Sequence, residues 1–187
     1  NLFTGDTKSS LADHVLSRLQ AGLQFEPSEP HRSAPPMNLA GAVLAGGKST
    51  RFGSDKALAE LRGRSLLSRA VDALSGWCEH VVIAGRGQGP APCIPDWPNA
   101  EMGPLAGIAA GLHHAQNEGY ETVLTCGVDS ANLPEDLLEM LSPAPRYLES
   151  QPVIGHWPAS AAATVEKILQ GDGRHSMLAF AAAIGAQ

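Results

Sequence analysis

The stretch LAGGKSTRFGSDKAL, residues 44–58, contains the residue types that a phosphate-binding loop needs. Gly46 and Gly47 follow an apolar run, and a glycine has no Cβ that would keep backbone N–H groups away from a bound anion. Arg51 and Lys56 come shortly afterwards and would bring positive charge to a polyphosphate. The stretch therefore predicts a nucleotide site.

Two common nucleotide motifs do not fit this stretch. A P-loop has the pattern G-x-x-x-x-G-K-[ST], and with Gly47 as its second glycine the first would have to be residue 42, which is Ala42. A P-loop also continues directly into a helix, whereas Gly53 would interrupt the first helical turn here. The dinucleotide fingerprint G-x-G-x-x-G is absent after this run. A P-loop NTPase and a nicotinamide-dependent dehydrogenase are therefore both disfavoured.

The elements that would position this loop alternate between strands and helices. Continuous apolar runs predict strands that begin at Leu39 and span 80–85 and 122–129. Helical spacing of apolar residues predicts helices over 65–74, 103–116 and 134–141. Strands of this kind are typical of a three-layer α/β/α fold with a mostly parallel sheet covered on both faces. Ligands of such sheets bind at the carboxyl ends of the strands, where Gly46 and Asp129 both lie.

Residues 1–36 differ from the rest of the chain. The segment 10–23 predicts an amphipathic helix with Ser10 as its N-cap, and FEPSEPHRSAPP predicts a Pro-rich linker. This helix would serve packing or dimerisation, or it is a remnant of a larger fusion. A nucleotide-binding domain is then expected over 37–187.

Composition excludes several other classes of partner. The net charge is -6 and no dense Lys/Arg cluster is present, so a nucleic-acid backbone is not an expected partner. No apolar run is long enough to cross a membrane, and no signal peptide is visible. The three cysteines lack metal-site spacing and favour a reducing cytoplasm.

The whole loop resembles the signature of nucleotidyltransferases of the nucleotide-diphospho-sugar transferase fold, roughly L-A-[GA]-G-x-[GS]-x-R-[MF]-G…K. Within that superfamily, the segment 37–187 is most similar to the molybdenum cofactor guanylyltransferases. The matching features are LAGG at 44–47, the pair Asp55-Lys56, GPLAGI at 103–108, and the acidic positions Asp96 and Asp129.

The resemblance implies an enzyme that uses Mg²⁺ to transfer GMP from GTP to molybdopterin and releases pyrophosphate. It implies Lys56 and Arg51 as catalytic residues and Asp129 as the metal ligand. Asp96 would contact base, ribose or metal. Acceptor molybdoenzymes or their chaperones would be partners. The GTP-binding residues implied are Leu44, Ala45, Gly46, Gly47, Lys56, Asp96 and Asp129.

Two alternatives share the same loop. A cytidylyltransferase or a sugar-phosphate nucleotidyltransferase would retain the glycines, the lysine and the metal carboxylate but differ in its base and acceptor pockets. A non-catalytic nucleotide-binding subunit is the other alternative, because Ser130-Ala131 replaces the x-Pro that the family carries after this aspartate.

Two later features leave questions for the structure. The interval between Leu141 and Gln151 is short for the further strand and loop that the family places there. His156 and Trp157 would line a pterin-facing wall, or Trp157 belongs to the core.

Overall fold

A computed structural model describes residues 38–46, 55–100, 102–130, 132–173 and 175–187 of the chain. The predicted N-terminal helix and linker therefore lie outside the described residues, and so do Gly47 and Arg51. The proposed boundary between 1–36 and 37–187 stays a prediction.

A six-stranded mixed sheet forms the centre of the described part, in the order β5-β4-β1-β6-β8-β7. The first four of these strands are parallel, while β8 runs antiparallel to β6 and β7 antiparallel to β8. Strands β2 and β3 form a separate two-stranded hairpin. The strands are β1 Leu39–Leu44, β2 Glu60–Leu61, β3 Arg64–Ser65, β4 His80–Ala84, β5 Cys93–Ile94, β6 Thr122–Gly127, β7 Arg146–Leu148 and β8 Gln151–Pro158.

Helices cover both faces of this sheet, and each face has its own hydrophobic cluster. The first cluster joins α2, α4 and α5 to the sheet, and the second joins α1 and α3 to the opposite face. This confirms the predicted three-layer α/β/α fold with a mostly parallel sheet. The helices are α1 Leu66–Ser75, α2 Pro104–Glu118, α3 Leu137–Met140, α4 Ala162–Gln170 and α5 Met177–Ala183, with 3-10 turns at Lys56–Leu58 and Ala159–Ala161.

The central strand β1 explains why the elements pack so closely. All six of its residues are buried, as expected for a strand with neighbours on both edges and helices on both faces. Helix α2 approaches it through Gly111, where a Cβ would lie only 2.9 Å from the Cβ of Ala42. Helix α1 begins at an N-cap, since the hydroxyl of Ser65 accepts a hydrogen bond from the N–H of Ser68. No helix in the described parts of the chain combines the length and the apolar character needed to cross a membrane.

The structure corrects two expectations about the region after β6. The third helix begins at Leu137 rather than at 134, because the Pro134 carbonyl accepts the Leu137 N–H at 3.1 Å and closes a turn first. The short interval after Leu141 does contain a strand, β7, which pairs with β8.

Candidate nucleotide site

The carboxyl ends of β4, β1 and β6 meet at one edge of the sheet. Leu44, the last residue of β1, is in register with Ala84 of β4 and with Gly127 of β6. The segments that follow the three strands therefore lie side by side. A cleft of about 370 Å³ opens there.

Most of the predicted site residues line this cleft. Leu44, Ala45, Gly46, Lys56 and Asp129 all do so, as the strand-end argument required. Gly47 and Arg51 belong to the part of the loop outside the described residues. The remaining lining residues were not predicted from the sequence as site residues, and they are Asp55, Ala57, Pro104, Gly127, Val128 and Val153.

Lys56 and Asp129 come together across the cleft. The Nζ atom of Lys56 lies 3.1 Å from Oδ2 of Asp129, and both side chains remain about half exposed. A tight turn presents the carboxylate, because the Gly127 N–H donates to the Ser130 hydroxyl and the Ser130 N–H donates to the Gly127 carbonyl. Ser130 thus helps to hold Asp129 at the strand end.

A second ion pair lies next to the first. The guanidinium of Arg86 contacts both carboxylate oxygens of Asp55, at 2.9 Å for Nη1–Oδ1 and 2.6 Å for Nη2–Oδ2. The hydrogen bond from Arg86, together with one from the Ala57 N–H, holds the pKa of Asp55 below its usual value despite some desolvation. Arg86 was not among the predicted site residues, although its place two residues after β4, at the same sheet edge, was a usable signal.

Asp96 does not line the cleft but lies behind Gly46. A Cβ on Gly46 would collide with Oδ2 of Asp96, and a Cβ on Gly85 would lie 2.9 Å from its Oδ1. Gly107 of α2 also faces the carboxylate, because a Cβ there would lie 3.4 Å from Oδ1. Within the described segments, the buried Oδ1 has no hydrogen-bond partner. Burial raises the pKa of Asp96 above its usual value.

The amino-terminal end of α2 also faces the cleft. Pro104 is the first residue of this 15-residue helix and lines the cleft. Gly103 precedes it with a φ of 76°, a left-handed conformation that favours glycine. The first N–H groups of a helix lack intrahelical partners and favour an anion. This end of the cleft is therefore suited to phosphate.

Trp157 and His156 belong to the protein interior rather than to a cleft wall. Trp157 is fully buried, and its indole N–H donates to the Thr125 hydroxyl at 2.8 Å. His156 is buried beside the Leu141 carbonyl, 3.1 Å from its Nδ1. Of the two interpretations of Trp157, the core position is the one observed, and β8 contributes Val153 to the cleft instead.

Together these residues suit a polyphosphate ligand. Lys56 and the α2 terminus supply positive charge or N–H groups, and Gly46 admits close approach of an anion. Asp129 supplies an exposed carboxylate. The described residues contain no group of three or more His, Cys, Asp or Glu side chains that could hold a metal alone. A cation at Asp129 would therefore share its coordination with the ligand, as Mg²⁺ does in nucleotide sites.

Comparisons with known proteins identify the family. The model of the MobA-like NTP transferase domain matches residues 41–184. The molybdenum cofactor guanylyltransferase of Acidiphilium cryptum is 37% identical over 160 residues, which cover 79% of this chain and 81% of that protein. The enzyme of the same name from Rhizobium johnstonii is 35% identical over 155 residues, which cover 76% and 74%.

A solved structure agrees on the fold. The molybdopterin-guanine dinucleotide biosynthesis protein A from Archaeoglobus fulgidus superposes with a TM-score of 0.60 and 21% identity, over 77% of this chain and 79% of that one. At that identity the likeness bears on the fold alone. The sequence relatives and the matched domain carry the assignment: the chain is a nucleotidyltransferase and belongs to the molybdenum cofactor guanylyltransferase family.

Proposed function

We propose that this protein transfers GMP from GTP to molybdopterin, with release of pyrophosphate. The observation that carries the proposal is the approach of Lys56 to Asp129: Nζ lies 3.1 Å from Oδ2 in the cleft that Gly46 also lines. A basic residue and a carboxylate are the two groups that a nucleotidyl transfer with Mg²⁺ requires. The names of the sequence relatives support the choice of a guanine nucleotide and a molybdenum-cofactor acceptor.

The proposed reaction is a substitution at the α-phosphorus of GTP. A terminal phosphate oxygen of molybdopterin attacks, its new bond to phosphorus forms, and the bond to the bridging oxygen breaks as pyrophosphate leaves with the electron pair. The attacking oxygen is already an anion, so the main barrier is the approach of negative charges and not a proton transfer. The chain must therefore supply positive charge and fixed dipoles.

Lys56 is proposed to neutralise charge at the α-phosphate, and Arg51 is expected to assist it from the neighbouring loop. The Ala45 N–H already donates to the Ala84 carbonyl at 2.9 Å, so the backbone donors for phosphate begin at Gly46. Leu44 and Ala45 shape the wall beneath them. Gly47, the next residue in the sequence, is also proposed to bind GTP.

Asp129 is proposed to hold Mg²⁺. The fit rests on its half-exposed carboxylate in the cleft, which already faces the cationic Lys56 Nζ. Mg²⁺ favours sites of one or two carboxylates completed by phosphate oxygens and water. When bound, it would neutralise charge on the phosphates during transfer.

Asp96 is proposed as a GTP-binding residue on the far side of Gly46. Its Oδ1 is buried without a partner among the described residues, and its Oδ2 lies towards Gly46, so the carboxylate keeps acceptor capacity for N–H donors that approach on the Gly46 side. The Watson–Crick edge of guanine presents N–H donors to such an acceptor, whereas that of cytosine presents one exocyclic amine and two acceptors. This chemistry favours GTP over CTP.

The cellular setting follows from the same proposal. The cysteines Cys78, Cys93 and Cys126 are unpaired, which suits a reducing compartment such as the cytoplasm. Acceptor molybdoenzymes or their chaperones are proposed to receive the product.

Calorimetric titration of the whole chain with GTP and with CTP, each with and without Mg²⁺, tests the proposal. We expect Mg·GTP to bind at least about tenfold more tightly than Mg·CTP, because a site built to satisfy donors rejects a ligand that lacks them. Asp129→Asn should abolish the effect of Mg²⁺ on GTP binding. Pyrophosphate release on addition of molybdopterin should follow with the wild-type chain.

Three outcomes would contradict the proposal in different ways. A preference for CTP would assign the chain to a cytidylyl reaction. Binding of GTP without pyrophosphate release would indicate a nucleotide-binding subunit. An unchanged Mg²⁺ requirement in Asp129→Asn would remove Asp129 as the metal ligand.

A further inference from the structure

The Arg86–Asp55 pair is the most buried arginine–carboxylate contact in the described structure. The Arg86 side chain is only 18% exposed, compared with 57% for Arg64 in its pair with Asp72. Exposed ion pairs contribute little to stability, because water screens them and two long side chains must be ordered. The Asp55 carboxylate is 43% exposed, but a two-pronged contact with a mostly covered arginine side chain fixes both the distance and the orientation of that carboxylate.

The carboxylate of Asp55 joins Arg86 to the turn that carries Lys56. Its Oδ1 atom accepts the Ala57 N–H at 3.1 Å and caps the 3-10 turn Lys56–Leu58. The same oxygen accepts a hydrogen bond from Arg86. The Asp55 side chain thus connects the 3-10 turn that contains Lys56 to Arg86, which lies two residues after β4.

Arg86, which follows β4, and Asp129, which follows β6, lie on opposite sides of β1. Strand β4 pairs with one edge of β1, and β6, whose end carries Asp129, pairs with the other. The segment from Asp55 to Lys56 therefore crosses the carboxyl end of β1, held by Arg86 on the β4 side. Lys56 reaches Asp129 on the β6 side, at 3.1 Å.

We propose that Arg86 is a positioning residue for nucleotidyl transfer: through Asp55 it fixes the Lys56 turn, and so places Nζ of Lys56 at the cleft beside Asp129. The proposal rests on the proposed function for the reaction that Lys56 serves. It requires no contact between Arg86 and the substrate. Misplacing a catalytic group by about 1 Å can cost about 100-fold in rate, so the loss of this anchor should affect turnover more than substrate binding.

The test compares Arg86→Met with Arg64→Met, which removes the more exposed pair on the hairpin and α1. We expect Arg86→Met to lower kcat for pyrophosphate release about 10- to 100-fold with less than about a threefold change in KM for GTP. Arg64→Met should leave both constants unchanged. In a Lys56→Ala background, measured in single turnovers, Arg86→Met should have no further effect, because the two residues act as one unit.

A second measurement does not depend on activity. Hydrogen exchange at the Ala57 amide should become about tenfold faster in Arg86→Met, the equivalent of one lost hydrogen bond to a charged group. Arg86→Lys, which cannot make the two-pronged contact, should show an intermediate rate. Unchanged exchange at Ala57, or a kcat loss that persists in full in the Lys56→Ala background, would overturn the positioning role. If exchange at Ala57 becomes faster in Arg86→Met as expected, but the wild-type chain releases no pyrophosphate, the proposed function alone is refuted.

Discussion

The carboxylate of Asp96 is held where its charge is unfavourable. Gly46, Gly85 and Gly107 face it, and its Oδ1 is buried without a hydrogen-bond partner among the described residues. Burial of this kind raises the pKa of a carboxyl group, and the shift has a cost for folding. The folded chain holds the proton more strongly than the unfolded chain, so stability falls as the pH rises from about 3.9 through the raised pKa. That loss persists at neutral pH.

Asp96→Asn should therefore separate stability from binding. We expect the midpoint of thermal unfolding at pH 7 to rise, because the uncharged amide no longer resists burial. We expect GTP affinity to fall about 10- to 100-fold, because hydrogen bonds to a charged acceptor are lost. Differential scanning fluorimetry and calorimetric titration measure the two effects.

Asp72→Asn is the matched control, since Asp72 is an exposed aspartate on α1. It should change neither the unfolding midpoint nor GTP affinity appreciably. Full GTP affinity in Asp96→Asn would show that this carboxylate has no part in nucleotide binding.

Helix α2 depends on Gly111 to lie close to β1. A Cβ at this position would meet the Cβ of Ala42 at 2.9 Å, and neither atom belongs to a flexible side chain that could move away. Overpacking at Gly111→Ala should cost about 1–3 kcal/mol, against a gain of about 1 kcal/mol that alanine brings to a helix interior. We therefore expect the free energy of unfolding to fall by up to about 2 kcal/mol.

Urea unfolding measures this change, and Gly173→Ala serves as control because no atom of the residues that the structure describes lies within 4 Å of its added Cβ. A more stable Gly111→Ala variant would mean that helix propensity outweighs the contact. Nucleotide affinity of the folded variant should be retained, since Gly111 does not line the cleft.

The same elements show what could be inferred from the sequence. Strands β1, β4 and β6 were predictable because burial on both faces makes each a continuous apolar run. Strand β7 has only three residues and the hairpin β2–β3 only two in each strand, too few to produce a periodic signal.

The part of the candidate site that consists of residues following strand ends was predictable from the sequence. Lys56 and Asp129 follow strands that end at the same edge, so their proximity was expected. The pairing of Arg86 with Asp55 was not predictable, because the two residues are 31 positions apart and their contact depends on how the loop crosses β1. Whether Asp96 faced the cleft or lay behind Gly46 likewise depended on side-chain packing.

The two sides of the sheet share a sensitivity to acid through two histidines, the buried His156 and the half-buried His114. Burial lowers the pKa of His156, on β8, and of His114, on α2, where His80 adds to the effect and Glu118 opposes it. The unfolded chain binds protons at about pH 6.5 while the folded chain resists them. Stability is therefore complete above that pH and falls as the pH is lowered through it.

His156→Gln should weaken this pH dependence, because glutamine can still donate to the Leu141 carbonyl but cannot take up a proton. Urea unfolding at several values between pH 7.5 and about pH 5 measures the slope. The double variant with His114→Gln should be flatter still. A slope identical to that of the wild type would place the acid sensitivity at other groups.

The three glycines around Asp96 narrow the routes by which this enzyme can diverge. Gly46 follows β1, Gly85 follows β4 and Gly107 belongs to α2, so a side chain gained at any of them would collide with parts of the chain encoded elsewhere. Replacement of Asp96 would relieve the contact at Gly46 but not those at the other two glycines. A Cβ on Gly85 would still meet the backbone of Gly46 at 2.5 Å, and a Cβ on Gly107 would still meet Leu44 Cδ2 at 3.0 Å. A side chain can therefore be gained at Gly85 or Gly107 only together with changes on a second element.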